Sequence, residues 1–197
     1  MTAPLVLASS SPFRRMLMSN AGLTFQHQAA DIDERAIEAS LADADPESVA
    51  IVLAEAKAKN VAASHPGSFV IGSDQTMSLG THIYHKAKDA DEAKGNLLSL
   101  AGKTHRLNSA VVIVRDKEIV WEYVGHADLT MRQLSPVFIK NYLSQVGPDV
   151  LKSVGSYQLE GVGIQLFSKI EGDYFTIVGL PMLALLGKLR ELGAIDG

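Results

Sequence analysis

Val70-Ile71-Gly72-Ser73-Asp74-Gln75-Thr76-Met77 decides the architecture of this chain. With Phe69 in front, its first half is a short, nearly continuous apolar run, the pattern of a strand buried on both faces. A carboxylate, Asp74, follows where that run ends, behind the small pair Gly72-Ser73 that allows a ligand to come close. Open α/β sheets present their chemistry at strand termini. Asp74 is therefore either a turn residue or a reactive carboxylate, and the rest of the chain has to separate the two.

On the N-terminal side, Leu5-Val6-Leu7-Ala8 reads as another buried strand, followed by Ser9-Ser10-Ser11-Pro12 and a helix from Phe13 to Asn20 closed by Gly22. A small polar loop with Pro in the first turn opens a helix N-terminus beside the sheet. Such an end attracts anions through free N–H groups and the helix dipole. Arg14 and Arg15 sit in that first turn, where their charge opposes the dipole, and a bound anion would offset the misfit. Leu23 to Ala29 reads as a weak strand leading to the acidic cluster Asp31-Ile32-Asp33-Glu34, a solvated loop or a source of metal ligands.

Asp45-Pro46 caps a long helix to about Ala63. Val49, Val52, Leu53, Ala56 and Asn60 fall on one side of it, and Lys59 follows Glu55 at ion-pair spacing. Lys57 lies among Ala50, Leu53, Ala54 and Val61, so it either snorkels or reaches into a site. Beyond the Asp74 strand, Asp89 or Asp91 caps a helix to about Leu100, and Gly102-Lys103-Thr104-His105 is a turn. Ser109 to Val114 and Glu118 to Val124 make a hairpin around Arg115-Asp116-Lys117. Ser135-Pro136 opens a helix to about Gln145, and glycines 155, 161, 163 and 172 punctuate short strands and turns around Tyr157 and Phe167. Gly179-Leu180-Pro181 opens a last helix to Leu192, whose Leu183, Leu186, Leu189 and Arg190 pattern reads mostly as core packing.

Composition bounds the function. The 197 residues are 47% hydrophobic and 20% charged, which suits a globular chain with a substantial core. A net charge of -4, with no basic stripe, argues against nucleic acid and anionic membranes as partners. The absence of cysteine excludes disulfides and thiolate chemistry and fits a reducing compartment. The N-terminal stretch lacks the basic region and apolar length of an export signal, so the expected location is cytoplasmic. His82 and His85 have no further ligands in a metal-binding pattern.

Taken together, Leu7-Ala8-Ser9-Ser10-Ser11-Pro12-Phe13-Arg14-Arg15, Ile71-Gly72-Ser73-Asp74, Gly102-Lys103-Thr104-His105, Gly155-Ser156-Tyr157, Gly172-Asp173-Tyr174 and Gly179-Leu180-Pro181 resemble the signature blocks of the Maf family of nucleotide pyrophosphatases. They lie in family order and span nearly the whole chain. The resemblance implies an α/β fold related to inosine triphosphate pyrophosphatases: one domain over 1–197, with an elongated mixed sheet, flanking helices and two lobes around a central cleft. It also implies hydrolysis of a nucleoside triphosphate to the monophosphate and pyrophosphate, assisted by a divalent metal (Mg, Mn or Co). The expected partner is that nucleotide, with a homodimer left open.

Residue by residue, Asp74 resembles the family's general base, and Ser9, Arg14 and Arg15 its phosphate-contacting motif. Glu34, Lys57 and Lys86 match further substrate-binding positions, and Asp74 or Glu34 could hold the metal. The family's Gly-Lys-Pro is here His85-Lys86-Ala87, which removes proline's restraint on that loop. Phe13, Gln75 and Glu160 resemble the selectivity set of the 7-methyl-GTP branch, where the dTTP/UTP branch has Arg, Thr and Gln. The chemistry suits that choice. Guanine's edge offers N1–H and N2–H₂ as neighbouring donors that a carboxylate accepts, and the cationic N7-methyl purine is attracted to Glu160 and to an aromatic face. A dTTP/UTP or broad-specificity pyrophosphatase, and a non-catalytic nucleotide-binding regulator of septum formation, are the alternatives.

Overall fold

The computed structural model describes residues 3–41 and 44–196. The chain divides into two compact units, the first made of Met1–Gln75, Asn108–His126 and Asp173–Gly197, the second of Thr76–Leu107 and Ala127–Gly172. Seven strands form one mixed sheet in the order β2-β1-β3-β5-β6-β7, with β4 paired to β3. The strands are β1 (Leu5–Ala8), β2 (Gln26–His27), β3 (Phe69–Leu79), β4 (His82–Tyr84), β5 (Thr104–Arg115), β6 (Glu118–Met131) and β7 (Phe167–Glu171). β1 runs parallel to β2 and β3, while β3/β4 and β6/β7 are antiparallel. The expected mixed sheet flanked by helices is thus present.

In the first unit, period-two alternation sorts the sheet's side chains onto two faces. Leu5, Leu7, Phe69, Ile71, Val111 and Ile113 pack with Leu17 and Met18 of α1 (Pro12–Asn20) and with Met182, Leu185 and Leu189 of α7 (Met182–Glu191). Val6, Ala8, Val70, Ala110, Val112 and Val114 pack on the other face, against Ala50, Ala54, Ala58 and Val61 of α3 (Pro46–Ala62). Each fully buried Val, Leu or Ile contributes roughly 1.5–3 kcal/mol, which fixes the register of these strands. Since even-numbered residues of β3 face α3, Asp74 falls on the α3 side and Gln75 on the side of α1 and α7.

Gly72 faces α3, and a Cβ there would sit 2.1 Å from the Ala54 carbonyl oxygen and 2.8 Å from Ala58 Cβ. The small pair Gly72-Ser73 therefore admits a helix rather than a ligand: Ser73 is fully buried and donates from Oγ to the Gly179 carbonyl at 3.1 Å. Asp45 caps α3 through the Glu47 and Ser48 amides, as its position before Pro46 suggests. The buried stripe of α3 is shifted from the expected one. Ala50, Ala54, Lys57, Ala58 and Val61 are buried, whereas Val52 and Ala56 are half-buried and Asn60 is exposed.

The expected weak strand shrinks to two residues, Gln26–His27, and the acidic cluster starts a short helix, α2 (Glu34–Ala39), capped by Asp33. A second short helix, α6 (Tyr174–Val178), is capped by Asp173 and ends at Gly179 with φ 113°. On α7, Leu183 is 69% exposed, contrary to its expected core role, because the buried face runs through Met182, Leu185 and Leu189.

The second unit packs α4 (Ala90–Leu100) and α5 (Pro136–Val146) with 3₁₀ turns at Gly147–Leu151 and Val154–Ser156. Asp89, not Asp91, caps α4. Buried at its centre are Leu97, Leu100, Ile139, Tyr142 and Tyr157. His105, expected in a turn, is a fully buried strand residue. Among the described residues, no helix is long and apolar enough to cross a membrane.

Candidate active site

Lys57 lies two helical turns past the Ala50 level of α3, next to Ala54 and Ala58, which the missing Cβ of Gly72 draws close to β3. Its stem runs along that apolar contact and its Nζ meets Asp74 Oδ1 at 2.6 Å. The same Nζ lies 3.0 Å from Glu34 Oε2. The Lys57 and Asp74 side chains are only 10% and 13% exposed, whereas that of Glu34 is 52% exposed. The lysine on the apolar flank reaches into a site.

Glu34 arrives there because the acidic loop is pinned to α3. Asn60 accepts from the Asp31 amide through Oδ1 at 3.0 Å and donates from Nδ2 to the Asp31 carbonyl at 3.2 Å. Asn60, read from the sequence only as part of the α3 stripe, is exposed and ties the acidic loop to the helix.

Arg14 is half-buried and braces β3 beside Asp74. Its Nε donates to the Gly179 carbonyl at 2.8 Å and its Nη1 to the Ser73 carbonyl at 2.9 Å. Burial lowers its pKa, and the Asp74 and Glu34 carboxylates oppose that shift. The arginine thus lies in the field of both acids while two of its five N–H groups hold backbone. Arg15 points elsewhere, to His27 Nε2 at 2.9 Å. Ser9 is buried and accepts from the Ser11 amide at 3.1 Å, shaping the turn into α1. Phe13 is half-buried in the first turn of α1.

Gln75, on the other face of β3, donates from Nε2 to Ser109 Oγ and to the carbonyls of Thr176 and Ile177. Lys86 and Glu160 are exposed residues of the second unit. Within the first unit the structure therefore brings together Asp74, Lys57, Glu34 and Arg14, with Ser9 at the preceding turn. Among the described residues, no group of three or more His, Asp or Glu side chains is arranged to hold a metal.

The sequence pattern ends the strand at Asp74, but β3 runs on to Leu79, so Asp74 is a mid-strand carboxylate. Paired there to a buried lysine, with Arg14 and the serines of the β1–α1 turn in the same unit, it is in keeping with the whole-chain motif order. The family model for Maf-like proteins fits residues 4–192. The chain belongs to the Maf family. It is 65% identical over its full length, and over the full length of the relative, to a 7-methyl-GTP pyrophosphatase of Rhizobium etli. It is 56% identical, again over all of both chains, to a 7-methyl-GTP pyrophosphatase of Brucella abortus. A nucleoside triphosphate pyrophosphatase of Bradyrhizobium diazoefficiens is 51% identical over 96% of this chain and 94% of its own.

Proposed function

We propose that this Maf protein hydrolyses 7-methyl-GTP to 7-methyl-GMP and pyrophosphate. Water adds to the α-phosphorus, the bond to the bridging oxygen of the β-phosphate breaks, and pyrophosphate leaves. Asp74 takes the proton of the attacking water. The observation that carries this reading is the Lys57–Asp74–Glu34 cluster: the ion pair uses Oδ1 of Asp74, so its second oxygen is available to accept a proton from water.

Phosphoryl transfer asks the protein chiefly for positioning and for positive charge around the phosphoryl oxygens. Lys57 and Arg14 supply that charge in the first unit, with Ser9 at the β1–α1 turn. Lys86 and Glu160, in the second unit, are the substrate-binding and specificity positions that the family motif assigns there. Two carboxylates converging on a single ammonium suit a divalent cation, which typically takes one or two carboxylates and completes its shell with water and phosphate oxygens. Asp74 and Glu34 would hold it. When bound, it neutralises charge on the triphosphate.

The names of full-length relatives support 7-methyl-GTP as substrate. The decisive assay measures pyrophosphate release from 7-methyl-GTP, GTP, dTTP and UTP in the presence of Mg²⁺. The highest kcat/KM is expected for 7-methyl-GTP. Preference for dTTP or UTP would overturn the substrate. Absence of pyrophosphate from every nucleotide would overturn catalysis in favour of nucleotide sensing.

A further inference from the structure

Gln75 occupies a selectivity position, yet its amide nitrogen is turned inward. Nε2 lies 2.7 Å from Ser109 Oγ, 3.0 Å from the Thr176 carbonyl and 3.1 Å from the Ile177 carbonyl. Ser109 is fully buried, and its own hydroxyl hydrogen goes to the Thr176 carbonyl at 2.7 Å. Having donated there, Ser109 Oγ meets Gln75 only as an acceptor. Three acceptors thus face one end of the amide. Turning the amide over would set Oε1 against two carbonyl oxygens, and Ser109 could donate to it only by giving up the Thr176 carbonyl.

We infer that Ser109, together with the Thr176 and Ile177 carbonyls, locks the Gln75 amide as a one-way acceptor and thereby makes Ser109 a positioning residue for base selection. This rests on the reading that Gln75 meets the nucleotide base. A free glutamine can flip to match either a donor or an acceptor on a base edge. A locked one offers only Oε1. That oxygen accepts from guanine's N–H groups and carries partial negative charge toward a cationic N7-methyl purine. Against uracil or thymine it meets one N–H flanked by two carbonyl oxygens. The lock therefore discriminates without adding any group to the site.

The carbonyls that do this come from the short helix α6. Its start is fixed by the Asp173 cap, whose Oδ1 accepts from the Thr176 amide at 3.0 Å. Its end is fixed by the Gly179 carbonyl, which holds Arg14 Nε and Ser73 Oγ. The lock is anchored at both ends.

Two measurements test it. Gln75→Glu keeps the shape but places a carboxylate against the same carbonyls; its Tm should fall by about 2–4 °C or more at pH 8 and recover toward wild type near pH 5, where a carboxyl O–H can donate again. A Gln75→Glu melt that tracks wild type at both pH values would overturn the lock. In the second, Ser109→Ala should raise KM for 7-methyl-GTP about fivefold with kcat nearly unchanged, and should add nothing further in a Gln75→Ala background. An equal effect in both backgrounds, or none in either, would overturn the positioning role. Failure of wild-type enzyme to prefer 7-methyl-GTP would instead count against the substrate reading, and the melting experiment is independent of it.

Discussion

Lys57 Nζ and Asp74 Oδ1 meet at 2.6 Å across the contact between α3 and β3. Their side chains are nearly buried, so each is the principal partner of the other's charge. Removing the acid and removing the base are not equivalent. Asp74→Asn leaves Lys57 with Glu34 at 3.0 Å, and an amide oxygen still accepts from the ammonium. Turnover should fall by about 10²–10⁴-fold, the range typical of a lost general base, while the circular dichroism spectrum stays native. Lys57→Met strands the nearly buried Asp74 carboxylate without its cation, beside the half-exposed Glu34, and should lower the unfolding free energy by about 3 kcal/mol as well as abolishing turnover. Wild-type turnover in Asp74→Asn would sink the assignment of the base.

Gly72 sets the distance at which that pair can form. A Cβ 2.1 Å from the Ala54 carbonyl oxygen meets backbone, which cannot rotate away. Gly72→Ala must push α3 from the sheet and carry Lys57 with it. The expected cost is about 1–3 kcal/mol of stability, as for other overpacked cores, together with a drop in kcat. Urea unfolding and steady-state kinetics check both. A variant that kept wild-type stability would show that α3 yields without cost.

The first unit was largely legible in the sequence, because β1, β3 and α3 carry strong local signals. Continuous apolar runs marked the strands, and Asp45-Pro46 marked the start of α3. What stayed hidden depends on contacts distant in sequence. Lys57 could be read as solvated or functional until Gly72 brought its helix onto the strand. Ser73 looked like an allowance for ligand, but it is a hydroxyl tied to Gly179 across 106 residues. Helices α2 and α6 are six and five residues long, too short for periodicity to register, and each is announced only by its capping aspartate. Leu183 misled because a leucine spacing of three fits either face of a helix as short as α7.

The base-reading role proposed for Glu160 has its own test. A carboxylate accepts two neighbouring donors, whereas the isosteric amide must present one hydrogen-bearing end. Glu160→Gln should reduce kcat/KM for 7-methyl-GTP by roughly 10- to 100-fold, in line with about 1–3 kcal/mol for a paired base contact. The loss for UTP should be much smaller. Equal losses for the two nucleotides would remove Glu160 from base reading.

His105 makes stability depend on pH. It is 1% exposed, with its Nε2 2.7 Å from the Tyr157 hydroxyl, which in turn donates to Met77 Sδ at 3.9 Å. Nδ1 has no hydrogen-bond partner. Burial lowers the imidazole pKa from 6.5 to about 4, and the Asp128 carboxylate only partly opposes this. Between those values the unfolded chain binds more protons than the native one, so acid favours unfolding. The His105 contribution is complete above pH 6.5, declines as the pH falls and is exhausted below about 4. The span corresponds to about 3 kcal/mol. His105→Phe removes the titration along with the hydrogen bond to Tyr157. At pH 7.5 it should be less stable by about 1–2 kcal/mol, yet its urea midpoint should change less between pH 7.5 and pH 5 than that of the wild type. A variant with the wild-type pH slope would assign the acid sensitivity to other groups.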